Sequence, residues 1–177
     1  MRDTTKHPWA LGNLRVTRRV LDRVFEEARV SYAQGEESCG FLVGPSSDPL
    51  VVDGMVPMEN RANKLHALDP EAYPRTGRMY FDINPMAFER EVRQREAGNA
   101  PVKVLYHSHL DVGAYFSETD AAAMTMGGDE PPYDLAYLVT SVRGGDVDGH
   151  KLFVWDPRTR TFRESALVII GAAGDTP

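Results

Sequence analysis

Cysteine is nearly missing from this sequence. Cys39 is the one thiol in 177 residues, which excludes an internal disulfide and any metal centre built from several thiolates. A metal would have to rest on histidine and carboxylate side chains. Long apolar runs are missing too. No stretch approaches the ~18 residues of a transmembrane helix, and Met1-Arg2-Asp3 leads into polar residues rather than an apolar signal core. The expectation is a cytoplasmic protein with no membrane partner. Basic clusters do not occur either: net charge is −6 and the 20 Lys and Arg residues are scattered, which argues against a nucleic-acid surface. There is no internal repeat, low-complexity segment or coiled-coil heptad.

What is present is the composition of one soluble domain, with 42% hydrophobic and 26% charged residues over a length that supports a single substantial core. Residues 1–13 contain Pro8 and Gly12, lack a period, and are expected as an N-terminal arm with Trp9 docking on the domain. The domain is expected over 14–170 and a flexible tail over 171–177. Leu14 and Val16 alternate as in a short strand. Val20, Leu21, Val24, Phe25 and Ala28 recur at helical spacing behind a potential Thr17 cap, which predicts a helix over about 17–33. Phe41–Gly44 and 50–58, separated by Pro45-Ser46-Ser47-Asp48-Pro49, predict a hairpin. Residues 59–77 are expected as a long irregular loop, a feature more often functional than ornamental. A strand over 78–82 and a helix from Asn84-Pro85 to about Glu96 follow. Strands are expected at 102–106, 133–142, 151–155 and 161–170, with a short helix from Ser117 to about Met126. The class is α+β: a mixed, largely antiparallel sheet flanked by two longer helices and one short helix.

The chemistry concentrates in HSHLDVGAYFSETD, directly after the apolar run PVKVLY. On an extended strand His107 and His109 point to the same side, and Asp120, a short loop away, could complete a three-ligand set for Zn²⁺. Three protein ligands leave a fourth tetrahedral position open for water, the mark of a catalytic zinc site. Each part also has a plainer reading. His-x-His on a strand is often structural, and Ser117-x-x-Asp120 is a variant of the capping box. Cys39 is expected as a small buried residue. His7, His66 and His150 lack partners at ligand spacing and are expected at the surface. Asp111 is either a second acid behind the metal or a solvated loop residue. Tyr115 and Phe116 either wall a cleft or anchor the loop, and Met124 and Met126 cannot both face the core.

The spacing His-x-His-x7-Ser-x2-Asp, with GEESCGFLVG upstream, resembles the JAMM motif of the MPN-domain (Mov34/PAD-1) zinc metalloproteases. The resemblance covers about residues 14 to 170 and implies an MPN/JAB-like (cytidine-deaminase-like) fold. Within it, His107, His109 and Asp120 correspond to the ligands of one zinc ion per chain. Glu37, rather than Glu36, corresponds to the carboxylate that takes a proton from the attacking water and delivers it to the leaving amine. Ser117 corresponds to the hydroxyl that stabilises the oxyanion. Leu110 and Phe116 depart from a frequent Pro after the second His and a Pro or small residue before the Ser. The short, stand-alone bacterial type is most similar. It implies a peptidase or isopeptidase acting after the C-terminal Gly-Gly of a ubiquitin-like sulfur carrier protein; a homodimer is the candidate assembly. The alternatives are a non-catalytic MPN-type scaffold that binds a partner, and a zinc hydrolase for an unrelated peptide or small amide.

Overall fold

A computed structural model describes residues 6–171. The expected tail, apart from Gly171, and the first five residues of the expected arm lie outside the described residues. Thirteen regular elements follow a short 3-10 turn at Pro8–Leu11: β1 (Leu14–Thr17), α1 (Arg18–Ala33), β2 (Cys39–Val43), β3 (Val51–Val52), β4 (Gly54–Met58), α2 (Ala62–Leu68), α3 (Pro85–Ala97), β5 (Val102–Leu110), α4 (Glu118–Met124), β6 (Ala136–Arg143), β7 (Asp146–Asp156), β8 (Thr161–Ser165) and β9 (Leu167–Ile170). The main sheet has six strands in the order β4-β2-β5-β6-β7-β8, and a three-stranded sheet has the order β3-β1-β9. In the main sheet only the β5–β6 pairing is parallel. The α+β class with a mixed, largely antiparallel sheet is what the periodicities predict.

Alternation along the central strand divides the interior in two. Val104 and Tyr106 of β5 face α1, whose Val20, Leu21 and Val24 join them with Trp9, Leu14 and Val16 in one core. The α1 start is fixed by Thr17, whose Oγ1 accepts from the Val20 N–H. Trp9 closes this side, donating its indole N–H to the Asp134 carbonyl at 2.8 Å. Leu105 faces the other way, with Phe41, Phe81, Tyr137, Val139 and Phe153, and there α3 contributes Phe88 and Val92. Asn84 caps α3 by accepting from the Met86 and Ala87 N–H groups, with Pro85 in the first turn. The candidate site lies on this second face.

Four expectations need correction. The 59–77 loop contains α2, so there are two short helices rather than one. The predicted 78–82 strand is irregular: Asn60 bonds the Tyr80 carbonyl and the Asp82 N–H, leaving no continuous strand ladder. The 41–44/50–58 hairpin is split, with β4 pairing β2 while Val51–Val52 crosses to β1. The last strand breaks at Ala166, β8 ending the main sheet and β9 running beside β1.

Candidate functional site

All nine residues of β5 are buried, so the His-x-His at its end is enclosed by β2 on one side and β6 on the other. Cys39 and Val139 are the register partners of His107. Because β5 and β6 are parallel, the chain between them must cross back over the sheet, and that crossover carries α4 above the carboxyl end of β5. Two left-handed residues, Asp111 (φ 62) and Gly113 (φ 92), make the reversal. It delivers the Gly113 carbonyl to His109, whose Nδ1 donates to it at 2.9 Å. A carbonyl only accepts, so Nδ1 carries the proton and the Nε2 lone pair turns inward.

Donor atoms of three side chains converge there. His107 Nε2 lies 3.2 Å from His109 Nε2. Asp120 Oδ1 is 3.3 Å from His107 Nε2, and Oδ2 is 3.3 Å from His109 Nε2. The 3.2 Å between the two imidazole nitrogens matches the roughly 3.3 Å edge of a tetrahedron with metal–ligand bonds near 2.05 Å, and one ligand atom from each of the three side chains lies within 4.8 Å of the other two. Among the described residues it is the one cluster of three histidine or carboxylate ligands that could hold a metal ion. Burial lowers the His107 pKa, only partly opposed by Asp120, and favours the neutral imidazole that ligation needs. Burial alone would raise the Asp120 carboxyl, but its contacts with His107, His109 and Ser117 hold it well below the usual range. It stays ionised.

Ser117-x-x-Asp120 forms the capping box, and the same Asp120 carboxylate faces the two histidines. The Ser117 Oγ accepts from the Asp120 N–H at 3.0 Å, and Asp120 Oδ2 accepts from the Ser117 N–H at 2.9 Å. The box that starts α4 thereby locks the Asp120 rotamer toward the histidines. It also uses Ser117 Oγ as an acceptor, leaving its O–H free to donate.

Glu37 reaches the same place from the β2 side. Ser38 donates its N–H to Ser108 Oγ at 2.8 Å and accepts from the Ser108 N–H at 3.0 Å. The Glu37 N–H donates to the Gly77 carbonyl at 2.7 Å, and its own carbonyl accepts from Asn60 Nδ2. The side chain is 4% exposed and Oε2 has no partner. Burial, then the Asp120 charge, pushes its pKa well above the carboxylate range. A carboxyl so raised is suited to holding a proton and passing it on. Asn60 and Ser108 were not singled out in the sequence; for Ser108 the signal was a hydroxyl inside a wholly buried strand.

Glu37, His109, Ser117 and Asp120 line one cleft of ≈ 310 Å³, with Leu110, Tyr115, Arg75, Arg78 and Met79 around them. Tyr115 stands edge-on to the His109 ring. Phe116 lines no part of this cleft; it packs on Tyr137, Phe153 and Phe162 and borders a larger cavity of ≈ 500 Å³ against α4, which shares only Ser117 with the donor cleft. Phe81 stacks on His107 at 4.6 Å. Cys39 is buried, its thiol pushed up by burial. Asp111 is a junction rather than a solvated loop residue, bonding Tyr32, Arg78 and the Gly144 N–H. His7 and His150 are half-buried, not surface residues: His7 bonds Asp134 and Glu96, and His150 packs on Phe25.

The α+β sheet carries, at the end of its central strand, a buried His-His-Asp cluster that could hold a metal ion, with a buried glutamate in the same cleft. The model of the prokaryotic homologs of the JAB domain matches residues 17–156, and the chain belongs to that family. The JAB/MPN family includes zinc isopeptidases and non-catalytic members. The fold is shared with a Desulfitobacterium hafniense protein (TM-score 0.62, 18% identity, covering 91% of this chain and 95% of that one). A Salinibacter ruber protein is similar at TM-score 0.55 and 24% identity, covering 93% and 95%. A JAB1/MPN domain protein from Archaeoglobus fulgidus gives 0.53 and 14%, covering 90% and 99%. No curated protein sequence matches the chain.

Proposed function

We propose that the chain is a zinc-dependent peptidase or isopeptidase that hydrolyses the bond after the C-terminal Gly-Gly of a ubiquitin-like sulfur carrier protein. One observation carries the reading: His107, His109 and Asp120 form a buried triangle whose His109 and Asp120 line a cleft with Glu37, and one Glu37 carboxyl oxygen is buried without a partner among the described residues. His107 Nε2, His109 Nε2 and Asp120 would hold the ion, Asp120 supplying one negative charge. Bound zinc supplies a Lewis acid that acidifies water and polarises a carbonyl. Glu37 accepts a proton from the attacking water and later gives it to the leaving nitrogen. The C–O bond forms from the water oxygen, the amide C–N bond breaks, and the amine departs with the proton. Ser117 O–H donates to the carbonyl oxygen as negative charge develops. No residue becomes acylated.

The carrier substrate and a cytoplasmic setting rest on the resemblance to the stand-alone bacterial type. Among the described residues no helix is long and apolar enough to cross a membrane. The scaffold alternative has less support, since all three ligands and the glutamate are retained. Incubation of the zinc-loaded chain with Gly-Gly carriers extended at the C-terminus, read by intact mass, tests the reading. Glu37→Gln is expected to keep zinc and lose at least about 100-fold in cleavage rate. Cleavage at the wild-type rate by that variant contradicts the mechanism.

A further inference from the structure

The crossover from β5 to α4 is held almost entirely at one residue. Residues 111–116 form no strand or helix, and Val112 and Tyr115 stand exposed. Among the described residues, every hydrogen bond that ties this segment to the rest of the chain runs through Asp111, apart from the one His109 donates to the Gly113 carbonyl. The Asp111 N–H donates to the Val142 carbonyl at 2.8 Å, and its own carbonyl accepts from Arg143 Nη1 at 3.0 Å. Its carboxylate accepts from the Gly144 N–H at 3.0 Å, from the Tyr32 hydroxyl at 3.1 Å and from Arg78 at 3.0 Å. These partners come from the end of α1, the stretch before α3, β6 and the β6–β7 turn. The residue itself is left-handed, with φ 62, a conformation that Asp and Asn tolerate best among residues with a Cβ. Phe116 anchors the far end by packing on Tyr137, Phe153 and Phe162.

What depends on this hold is the Gly113 carbonyl, two residues on. The two histidines are oriented differently. His107 stacks on Phe81, and its Nδ1 is buried without a hydrogen-bond partner. His109 is the ring oriented by a hydrogen bond, from Nδ1 to Gly113. A neutral imidazole free in water favours the proton on Nε2, the reverse of what ligation through Nε2 needs. The Gly113 carbonyl supplies the opposite bias, and it stays in place only while the reversal at 111 is held. On the ligand set of the proposed function, we infer that Asp111 is the positioning residue of the metal centre: through the Gly113 carbonyl it fixes the His109 ring and tautomer, and so sets zinc affinity without itself touching the ion. The same carboxylate holds Arg78 at the rim of the cleft, so the metal centre and the rim share one support.

Zinc affinity is measured by competition with a chelating dye on the full-length wild type, Asp111→Ala and Asp111→Asn. The His109 tautomer is read on the zinc-free chains from the imidazole nitrogen chemical shifts. Asp111→Ala is expected to weaken zinc about 10- to 100-fold and to turn His109 from the Nδ1–H form to a mixture with Nε2–H. Asp111→Asn keeps the left-handed turn and an oxygen that accepts from Gly144 and Tyr32. It loses only the charge facing the exposed Arg78, and is expected to stay within about 5-fold of the wild type. If Asp111→Ala lowers the unfolding temperature but leaves zinc affinity and the tautomer as in the wild type, Asp111 is a structural tie and the inference is overturned. Should Asp111→Ala not fold, Tyr32→Phe withdraws one donor from the same carboxylate and is expected to weaken zinc in the same direction; unchanged affinity there overturns the inference. Cleavage of Gly-Gly-extended carriers is scored separately. Weakened zinc and a mixed tautomer in Asp111→Ala, with no carrier cleaved by the wild type, uphold the role of Asp111 and remove the hydrolase reading. Carrier cleavage by the wild type, with zinc binding untouched by Asp111→Ala, leaves the hydrolase reading standing without it.

Discussion

Ser108→Ala separates the geometry of Glu37 from the metal. The Ser108 hydroxyl is fully buried and accepts from the Ser38 N–H at 2.8 Å. Alanine fits the space but leaves that N–H without its partner, enclosed between β2 and β5. An unsatisfied buried amide costs about 1–3 kcal/mol. For a domain of this size each kcal/mol lowers Tm by roughly 2–4 °C, so a fall of about 2–12 °C in thermal unfolding is expected. Ser108 faces away from the histidines on the alternating strand, so zinc content should not change. Glu37 is one bond from the loosened residue, and its carboxyl must meet a water within hydrogen-bond reach. Cleavage is expected to drop about 10-fold or more at constant zinc, since small misplacements of a catalytic group are costly. If Tm moves by less than about 1 °C, the Ser38–Ser108 bond does not hold this junction and the argument fails. If zinc is lost together with activity, Ser108 acts on the ligands instead.

Asn60→Ala removes four hydrogen bonds, to the Glu37 and Tyr80 carbonyls and from the Ala62 and Asp82 N–H groups. A loss of about 3 kcal/mol or more in chemical denaturation is expected; a loss below about 1 kcal/mol would mean that water replaces the side chain. Lys103 is fully buried, with Nζ donating to the Pro45, Asp48 and Val51 carbonyls, and burial pulls its pKa from 10.5 to about 8, against the pull of Asp48 and Asp53. Between those values the unfolded chain holds the extra proton, so this residue makes stability rise with pH, by about 3 kcal/mol over the whole window. Lys103→Met should be less stable than wild type, and the gap between the two should widen from pH 7 to 9.5; a gap that stays constant refutes the burial argument.

The sequence made the elements with their own local signals easy to read. The helix α1 has a continuous apolar stripe and a Thr17 cap, α3 has Asn84-Pro85, and β5 is an unbroken apolar run, so each could be placed without its neighbours. The errors fall where tertiary contacts decide. The α2 helix is seven residues long with no side-chain cap at Arg61, and its first turn is held by Asn60 from outside. Met79-Tyr80-Phe81 has strand-like composition, yet Asn60 takes its backbone bonds and Phe81 is committed to the His107 ring. No glycine or proline marks Ala166, where the chain changes sheets. At the site, His107, His109 and Asp120 could be grouped by spacing because strand alternation and one short crossover bring them together. Glu37 lies seventy residues before His107, and only its resemblance to a family segment singled it out. Arg75 had no signal at all: an arginine in a polar stretch says nothing about the cleft it borders.

The central claim is that His107, His109 and Asp120 together hold one zinc. Its most direct test is the zinc-to-protein ratio of the purified chain after exhaustive dialysis. About one zinc per chain is expected for the wild type, with loss of nearly all of it in His107→Ala/His109→Ala while far-UV circular dichroism still shows a folded domain. Wild-type protein that retains no zinc, or a folded double variant that retains it fully, contradicts the account.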